Sequence, residues 1–222
     1  MKPFKIINTS WCTTLKIDCL KVADIETVIR YFDSEDSCQF PQERIELDEI
    51  FALKNCGMNI IVVFQKENSS LENFNYENGY KDGKYAFSYA TKIEQPLDSA
   101  IYFAANFNVF DTDLQKNIIP YFKGVKQAFE NCKTKGKPTY SIGVYGSGLA
   151  INDLKNLGLI QYRWLSMNSN FIGTQEALEE EQYDLRQVYT PINRLCQIEV
   201  NYNLQNPNVQ NIGAFNWKNY TV

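Results

Sequence analysis

A chain of 222 residues with 44% hydrophobic and 22% charged side chains can bury a substantial core and is too apolar to remain disordered. Its formal net charge of −4 offers nucleic-acid phosphates no general attraction. It has no histidine, which excludes Ser-His-Asp and Cys-His nucleophile systems and every histidine-bearing metal site; any proton transfer falls to carboxylates, tyrosine, lysine, cysteine or water.

Met1 to Leu20 holds lysines but no apolar core ahead of Asp18. No classical signal peptide is read, and the expectation is a cytoplasmic chain or one exported by another route. The first strand is predicted at Leu15–Leu20 and the second at Thr27–Tyr31. Leu47, Ile50 and Phe51 then form a helical stripe stopped by Gly57. The third strand, Asn59–Gln65, contains the longest apolar run, which is far short of a membrane span. A second helix shows Ala86, Tyr89, Ala90 and Ile93 on one face and ends at Pro96, and the fourth strand covers Ala100–Asn108. A longer helix follows, with Ile118, Phe122, Val125 and Phe129 buried, closed near Gly136 and Pro138. Strands at Tyr140–Tyr145 and Tyr162–Met167 flank a short helix stopped at Gly158. Another helix falls within Thr174–Gln182, before strands at Leu185–Tyr189 and Cys196–Asn201.

Eight strands separated by helices predict an α/β fold, a single (β/α)8-type TIM barrel occupying residues 1–222, with truncated first and last crossovers. An open doubly wound sheet is the alternative. No linker or repeat interrupts the pattern; polar loops lie at Asp33–Gln42, Lys66–Asn78 and Gln205–Asn211. The cysteines at 12, 19, 38, 56, 132 and 196 form no CxxC pair, which argues against zinc. Reduced core thiols are the expectation and disulfides the alternative. No metal or cofactor is expected.

Side chains alternate across a strand, so one face of each barrel strand meets helices and the other lines the interior and its C-terminal mouth. Alternation sets Asp18 against Leu15, Ile17 and Cys19, Arg30 against Ile29 and Tyr31, and Gln65 against Ile60, Val62 and Phe64. Tyr102, Asn106 and Asn108 oppose Ile101, Phe103, Ala105 and Phe107. Tyr145 opposes Ile142 and Val144, and Gln197, Glu199 and Asn201 oppose Cys196, Ile198 and Val200. Trp164 and Gln187 are predicted mouth residues on the sixth and seventh strands. So many late, inward polar residues point to a ligand-binding mouth, whereas any one alone reads as an ordinary strand end. Closure would set Asp18 beside Glu199, and paired carboxylates suit glycoside hydrolysis. The bland alternative is that either acid orients Arg30 or Lys16. Gly143-Val-Tyr-Gly-Ser-Gly148 has the wrong order for a dinucleotide loop and reads as a tight turn. Tyr31, Tyr102, Tyr145 and Trp164 could stack on sugar rings or simply pack, and Glu179 to Glu181 is a solvated helix face.

Several short motifs occur in a telling order: Ile17-Asp18-Cys19, Ile29-Arg30-Tyr31, Leu47-Asp48-Glu49 leading to Asn55-Cys56-Gly57, and Val63-Phe64-Gln65. Then come Gly79-Tyr-Lys-Asp-Gly-Lys-Tyr-Ala86, Gln95-Pro96, Ile101-Tyr-Phe-Ala104 and Gly143-Val-Tyr-Gly146. From about Lys16 to Trp217 the chain resembles the glycoside-hydrolase-like barrels known as domain of unknown function 1906, and more distantly the family 25 lysozymes. The resemblance implies a cleft for a glycan partner, with bacterial cell-wall polysaccharide the expected class. Such relatives carry a general acid on the strand that here reads Ala105-Asn106-Phe107-Asn108, and amides cannot protonate a leaving oxygen. Glu199 stands where the family places an Asp. Glu67, Asp111 and Asp113 are the other carboxylates within reach. Two functions follow. One is a hydrolase with Asp18 and Glu199 as the acid pair and Arg30, Gln65, Tyr102, Asn106, Asn108, Tyr145, Trp164 and Gln187 around the substrate. The other is a catalytically degenerate glycan-binding or protein-interaction barrel. No nucleic acid or membrane span is expected.

Overall fold

The computed structural model of the chain describes residues 4–32, 44–65 and 70–216. Runs rich in Val, Ile and Phe form β2 (Thr27–Phe32), β3 (Asn59–Phe64), β4 (Ala100–Ala104) and β5 (Ser141–Gly146), and shorter runs carrying an arginine each form β6 (Tyr162–Leu165) and β7 (Leu185–Val188). With β1 (Ile6–Asn8) and β10 (Asn201–Gln205) they close into a barrel of order β1-β10-β7-β6-β5-β4-β3-β2. Strands β1 to β7 run parallel, and β10 runs antiparallel to both neighbours.

The two ends of the sequence depart from expectation. Leu15–Leu20 is not the first strand: a single 3-10 turn at Thr14–Lys16 leads into helix α1 (Ile17–Val22). The core takes Ile17 and Leu20, three residues apart as on a helix face, while Leu15 is left in solvent. At the other end, Cys196–Asn201 is not a barrel strand. A two-stranded hairpin of β8 (Arg194–Leu195) and β9 (Ile198–Glu199) precedes β10. After β7 no helix carries the chain back to the base, so its return strand must run antiparallel.

Strand alternation builds two apolar layers. Val28, Val62, Ile101, Phe103 and Val144 face outward against the helices, and Ile29, Ile61, Val63, Ala104 and Trp164 face inward. The outer layer comprises α2 (Leu47–Asn55), α3 (Tyr76–Lys92), the single turn α4 (Asp111–Asp113), α5 (Ile119–Cys132), α6 (Gly148–Asn156) and α7 (Thr174–Glu179). Asn75 caps α3 by accepting from Asn78 N, and Ser147 caps α6 by accepting from Ala150 N. Helices α3 and α5 touch backbone to backbone: a Cβ on Gly79 would lie 2.0 Å from Tyr121 O, and one on Gly124 would lie 2.2 Å from Tyr76 O.

The chain beyond β10 closes the base of the barrel. Tyr102 donates its phenol to Ile212 O at 2.7 Å, Ala100 N donates to Gly213 O at 2.9 Å, and Phe215 pairs with Ile60. At the opposite end a disulfide joins Cys19 of α1 to Cys196 of the hairpin, across 177 residues of sequence. This overturns the expectation of reduced thiols for that pair; Cys12, Cys56 and Cys132 are free. On the chain-entropy account a closed loop of this size is worth roughly 5 kcal/mol, against a typical 2–4 kcal/mol. Among the described residues no helix is long and apolar enough to cross a membrane.

Candidate functional site

A cavity of about 280 Å³ opens at the C-terminal ends of the barrel strands. It lies near the small end of the roughly 300–1,000 Å³ usual for ligand pockets, which suits one sugar-sized group. Its wall is built by alternation. Gln65 follows Val63 on β3, Asn106 follows Ala104 on β4, Ser166 follows Trp164 on β6, and all six line the cavity with Tyr145 and Gln187. Phe171 and Met167 add apolar surface from the loop after β6.

The floor is a network of uncharged groups. Tyr145 donates to Gln187 Oε1 at 2.6 Å and lies 3.2 Å from the Ser166 hydroxyl. Asn8 donates to the Tyr31 phenol at 2.8 Å, and its Oδ1 accepts from Asn203 at 2.9 Å and Gln187 at 3.4 Å. Trp164 Nε1 donates to Asn203 Oδ1 at 2.9 Å. Burial raises the Tyr145 pKa above its ordinary value, so the phenol stays protonated and is a poor acid. Above this floor the side-chain amides of Gln65, Asn106 and Asn201 line the cavity, and among the described residues they make no side-chain hydrogen bond. Each amide offers two donors and an acceptor.

Gln65, Asn106, Tyr145, Trp164 and Gln187 thus meet in the mouth as alternation predicts. The other expected site residues do not. Asp18 is exposed on α1, because the segment is a helix and not a strand. Glu199 is exposed on the two-residue strand β9, outside the barrel. Neither acid lines the cavity, so no acid pair forms there. Tyr102 does point inward, yet it sits at the base with its phenol on Ile212 O. The Asn108 side chain accepts from Ile172 N at 2.9 Å and holds one mouth loop to another. Asp113 accepts from Phe110 N at the start of α4, and Asp111 is exposed on the same turn. Glu67 lies outside the described residues. No carboxylate is among the described residues lining the cavity.

Arg30 lies on the outer face of β2. It is 0% exposed, and its guanidinium makes two bonds to Glu49 of α2, at 2.8 and 3.1 Å. The same pair holds the loop after β1 at both ends. Arg30 Nη1 donates to Thr9 O at 2.8 Å, while Glu49 Oε1 accepts from Thr13 N and Oγ1 at 2.7 and 2.6 Å. Arg30 therefore shapes the mouth from behind and does not line it.

Asn8, Tyr31, Ser166, Met167, Asn168, Phe171 and Asn201 complete the lining. Of these, Tyr31 is singled out in the sequence only as an aromatic that could stack or pack; alternation set it opposite Arg30, and the structure reverses the two faces of β2. Asn201 was readable by alternation, but Asn8 falls in a three-residue strand with no pattern to reveal it.

The closed barrel with a polar mouth at the C-terminal ends of its strands places the chain in the class of TIM-type α/β barrels, a fold that hosts many activities. Within that class the chain belongs to the Rv2525c-like, glycoside hydrolase-like domain family, whose model matches residues 18–217. It is 30% identical over 127 residues to the uncharacterized protein YbfG of Bacillus subtilis, a match covering 56% of this chain and 17% of that protein. The chain thus spans less than a fifth of that relative. The crystal structure of the Tat-secreted protein Rv2525c of Mycobacterium tuberculosis in complex with L-tartrate superposes with a TM-score of 0.75 at 16% identity, covering 96% of this chain and 99% of that one. The glycosyl hydrolase 25 GHIP of Streptococcus pneumoniae shares the fold at a TM-score of 0.56 and 14% identity, over 91% and 86% of the two chains.

Proposed function

We propose that the mouth binds one unit of a glycan chain without hydrolysing its linkages. The observation that carries the reading is the exposure of three amides, Gln65, Asn106 and Asn201, beside Tyr145 and Phe171 in a lining whose described residues include no carboxylate. Amides, a phenol and an apolar ring match the hydroxyls and C–H faces of a sugar. In most glycoside hydrolases either stereochemical route uses two carboxyl groups across the scissile bond. The Tyr145 phenol, its pKa raised by burial, is no replacement for a general acid. Membership of a glycoside-hydrolase-like family favours a glycan over other polar ligands. The fold shared with a family 25 hydrolase makes bacterial cell-wall polysaccharide the first class to try.

The test is calorimetry with soluble peptidoglycan fragments, chito-oligosaccharides and cello-oligosaccharides, run beside a reducing-end assay on the same polymers. Saturable binding with no new reducing ends is expected, and Asn106→Ala should weaken binding by about tenfold, the loss of one or two buried hydrogen bonds. Release of reducing ends by the wild type, abolished in Asp18→Asn or Glu199→Gln, would restore a hydrolase. Absence of any bound saccharide would also overturn the reading.

A further inference from the structure

Trp11 is 46% exposed, a large aromatic left in solvent on the short loop that leaves Asn8 at the cavity wall. That loop is unusually well held. Arg30 fixes Thr9 O, Glu49 fixes the N–H and hydroxyl of Thr13, and Thr9 Oγ1 accepts from Trp11 N at 3.1 Å while donating to Glu199 O at 2.6 Å. A fully buried ion pair is an expensive way to hold a five-residue loop that is buried at both ends, Thr9 and Thr13, and exposed at Trp11 and Cys12. Its effect is to hold the backbone at Trp11 in a fixed place, so little loop freedom remains to be lost when a ligand lands on the exposed indole.

The surroundings define that ligand. Of the strand-end segments that the structure describes, residues 8–14, 104–110, 145–151, 165–173 and 187–193 contain no Asp, Glu, Lys or Arg, in a chain where such residues make up 22%. They are instead rich in Asn, Ser, Thr and Tyr, and they expose Phe110, Met167 and Tyr189 as well as Trp11. Those segments present amides, hydroxyls and exposed rings, with charge beginning at Asp111 and Arg194 just past two of them, and they match a saccharide whose hydroxyls want hydrogen bonds and whose C–H faces want an aromatic surface. The cavity has room for a single unit, so further units of a bound chain must lie on the rim.

We infer that Trp11 is a stacking platform for a second unit of a neutral oligosaccharide, held in register with the cavity by the Arg30–Glu49 clamp. The inference rests on the glycan-binding reading of the cavity and extends it to chain length and charge. The test is titration of the wild type and Trp11→Ala with N-acetylglucosamine, its β-1,4-linked trimer and hexamer, the matching glucose series, and oligogalacturonate as an anionic control. In the wild type, affinity rises about three- to tenfold from monomer to trimer in at least one neutral series, the increment expected of one stacked ring. Trp11→Ala removes that rise and leaves monomer binding and the thermal midpoint unchanged. Trp11→Phe retains part of it, and oligogalacturonate binds no better than the neutral monomer.

If the rise with length persists in Trp11→Ala, the platform is wrong and the cavity reading stands. If oligogalacturonate binds best, the neutral assignment is wrong. If no saccharide of any length binds, both readings fall. Concentration-dependent self-association of the wild type that Trp11→Ala abolishes, without any saccharide effect, would show that Trp11 meets a second copy of the chain instead.

Discussion

At the base of the barrel Tyr102 turns inward and donates its phenol to Ile212 O, on the segment that seals that end. At the mouth Tyr145, on the adjacent strand β5, also turns inward, but its partners are the side chains of Gln187 and Ser166 on the cavity floor. The same alternation puts both tyrosines inside. At the base the inward phenol is satisfied by backbone of the same chain, with Val209, Ile212 and Ala214 packed beside it. The mouth ends on amides that the described residues do not satisfy. An inward polar residue marks a binding site only where the fold has not already provided its partner.

The contrast can be attacked where the mouth is held up. Arg30 and Glu49 are 0% and 3% exposed. Glu49→Ala leaves a guanidinium buried without its partner, and a loss of about 3–5 kcal/mol in urea unfolding is expected. Glu49→Gln, which keeps an acceptor for Thr13, should lose less. If the alanine variant unfolds like the wild type, the clamp does not hold the upper rim.

Next in size is the disulfide. Cys196 and Gln197 both have positive φ, 52° and 69°, at the two-residue turn of the β8–β9 hairpin. Such a turn favours Asn-Gly or Gly-Gly, so the hairpin conformation is costly without the cross-link. Cys19→Ser with Cys196→Ser should lose about 2–4 kcal/mol of stability. Hydrogen exchange in the variant should rise first in residues 189–200. Peptide mapping of unreduced, alkylated protein checks the bond directly, and recovery of both cysteines in alkylated form would refute it.

The tyrosine pair itself gives a smaller effect. Tyr102→Phe strands the Ile212 carbonyl and should cost about 1–2 kcal/mol with no change in saccharide affinity. Tyr145→Phe, beside a solvent-accessible cavity, should cost under about 1 kcal/mol and weaken binding about tenfold. Equal effects of the two on affinity would erase the distinction between base and mouth.

Much of this mouth was readable because β3 to β5 are anchored by apolar runs that leave alternation no second register. Trp164 and Gln187 rest on the shorter alternation of β6 and β7, while Gln65, Asn106 and Tyr145 follow from the apolar runs alone. Arg30 does not, because β2 is apolar on both faces and a polar residue there reads as inward until Glu49 is seen behind it. Asp18 failed for a different reason: Leu15, Ile17 and Cys19 mimic a strand over a stretch whose buried residues, Ile17 and Leu20, have helical spacing. Glu199 was misplaced because a hairpin with two-residue strands is too short to leave a period. Starting the last strand at Asn201 would have added Asn203 to Asn201 as an inward amide. Nothing in the spacing of cysteines 177 residues apart announces their bond.

The last expectation is an absence of effect. Burial raises the pKa of Tyr102 well above 10.0 and that of Tyr145 above 10.0 as well. In the unfolded chain these phenols ionise near pH 10, while in the folded barrel they keep their protons. Their contribution to stability is therefore complete below about pH 10 and is lost as the pH rises through the folded values. Stability limited by these groups should be flat from about pH 6 to 9 and fall above about pH 10. Saccharide affinity should also be flat, within about twofold from pH 5 to 9, because the described lining contains no side chain with an ordinary pKa in that window. Affinity followed by calorimetry across that range decides the matter. A limb with a midpoint near pH 4 to 6 would mean that a carboxylate contributes to ligand binding, and the mouth would then resemble a hydrolase more closely than its amides suggest.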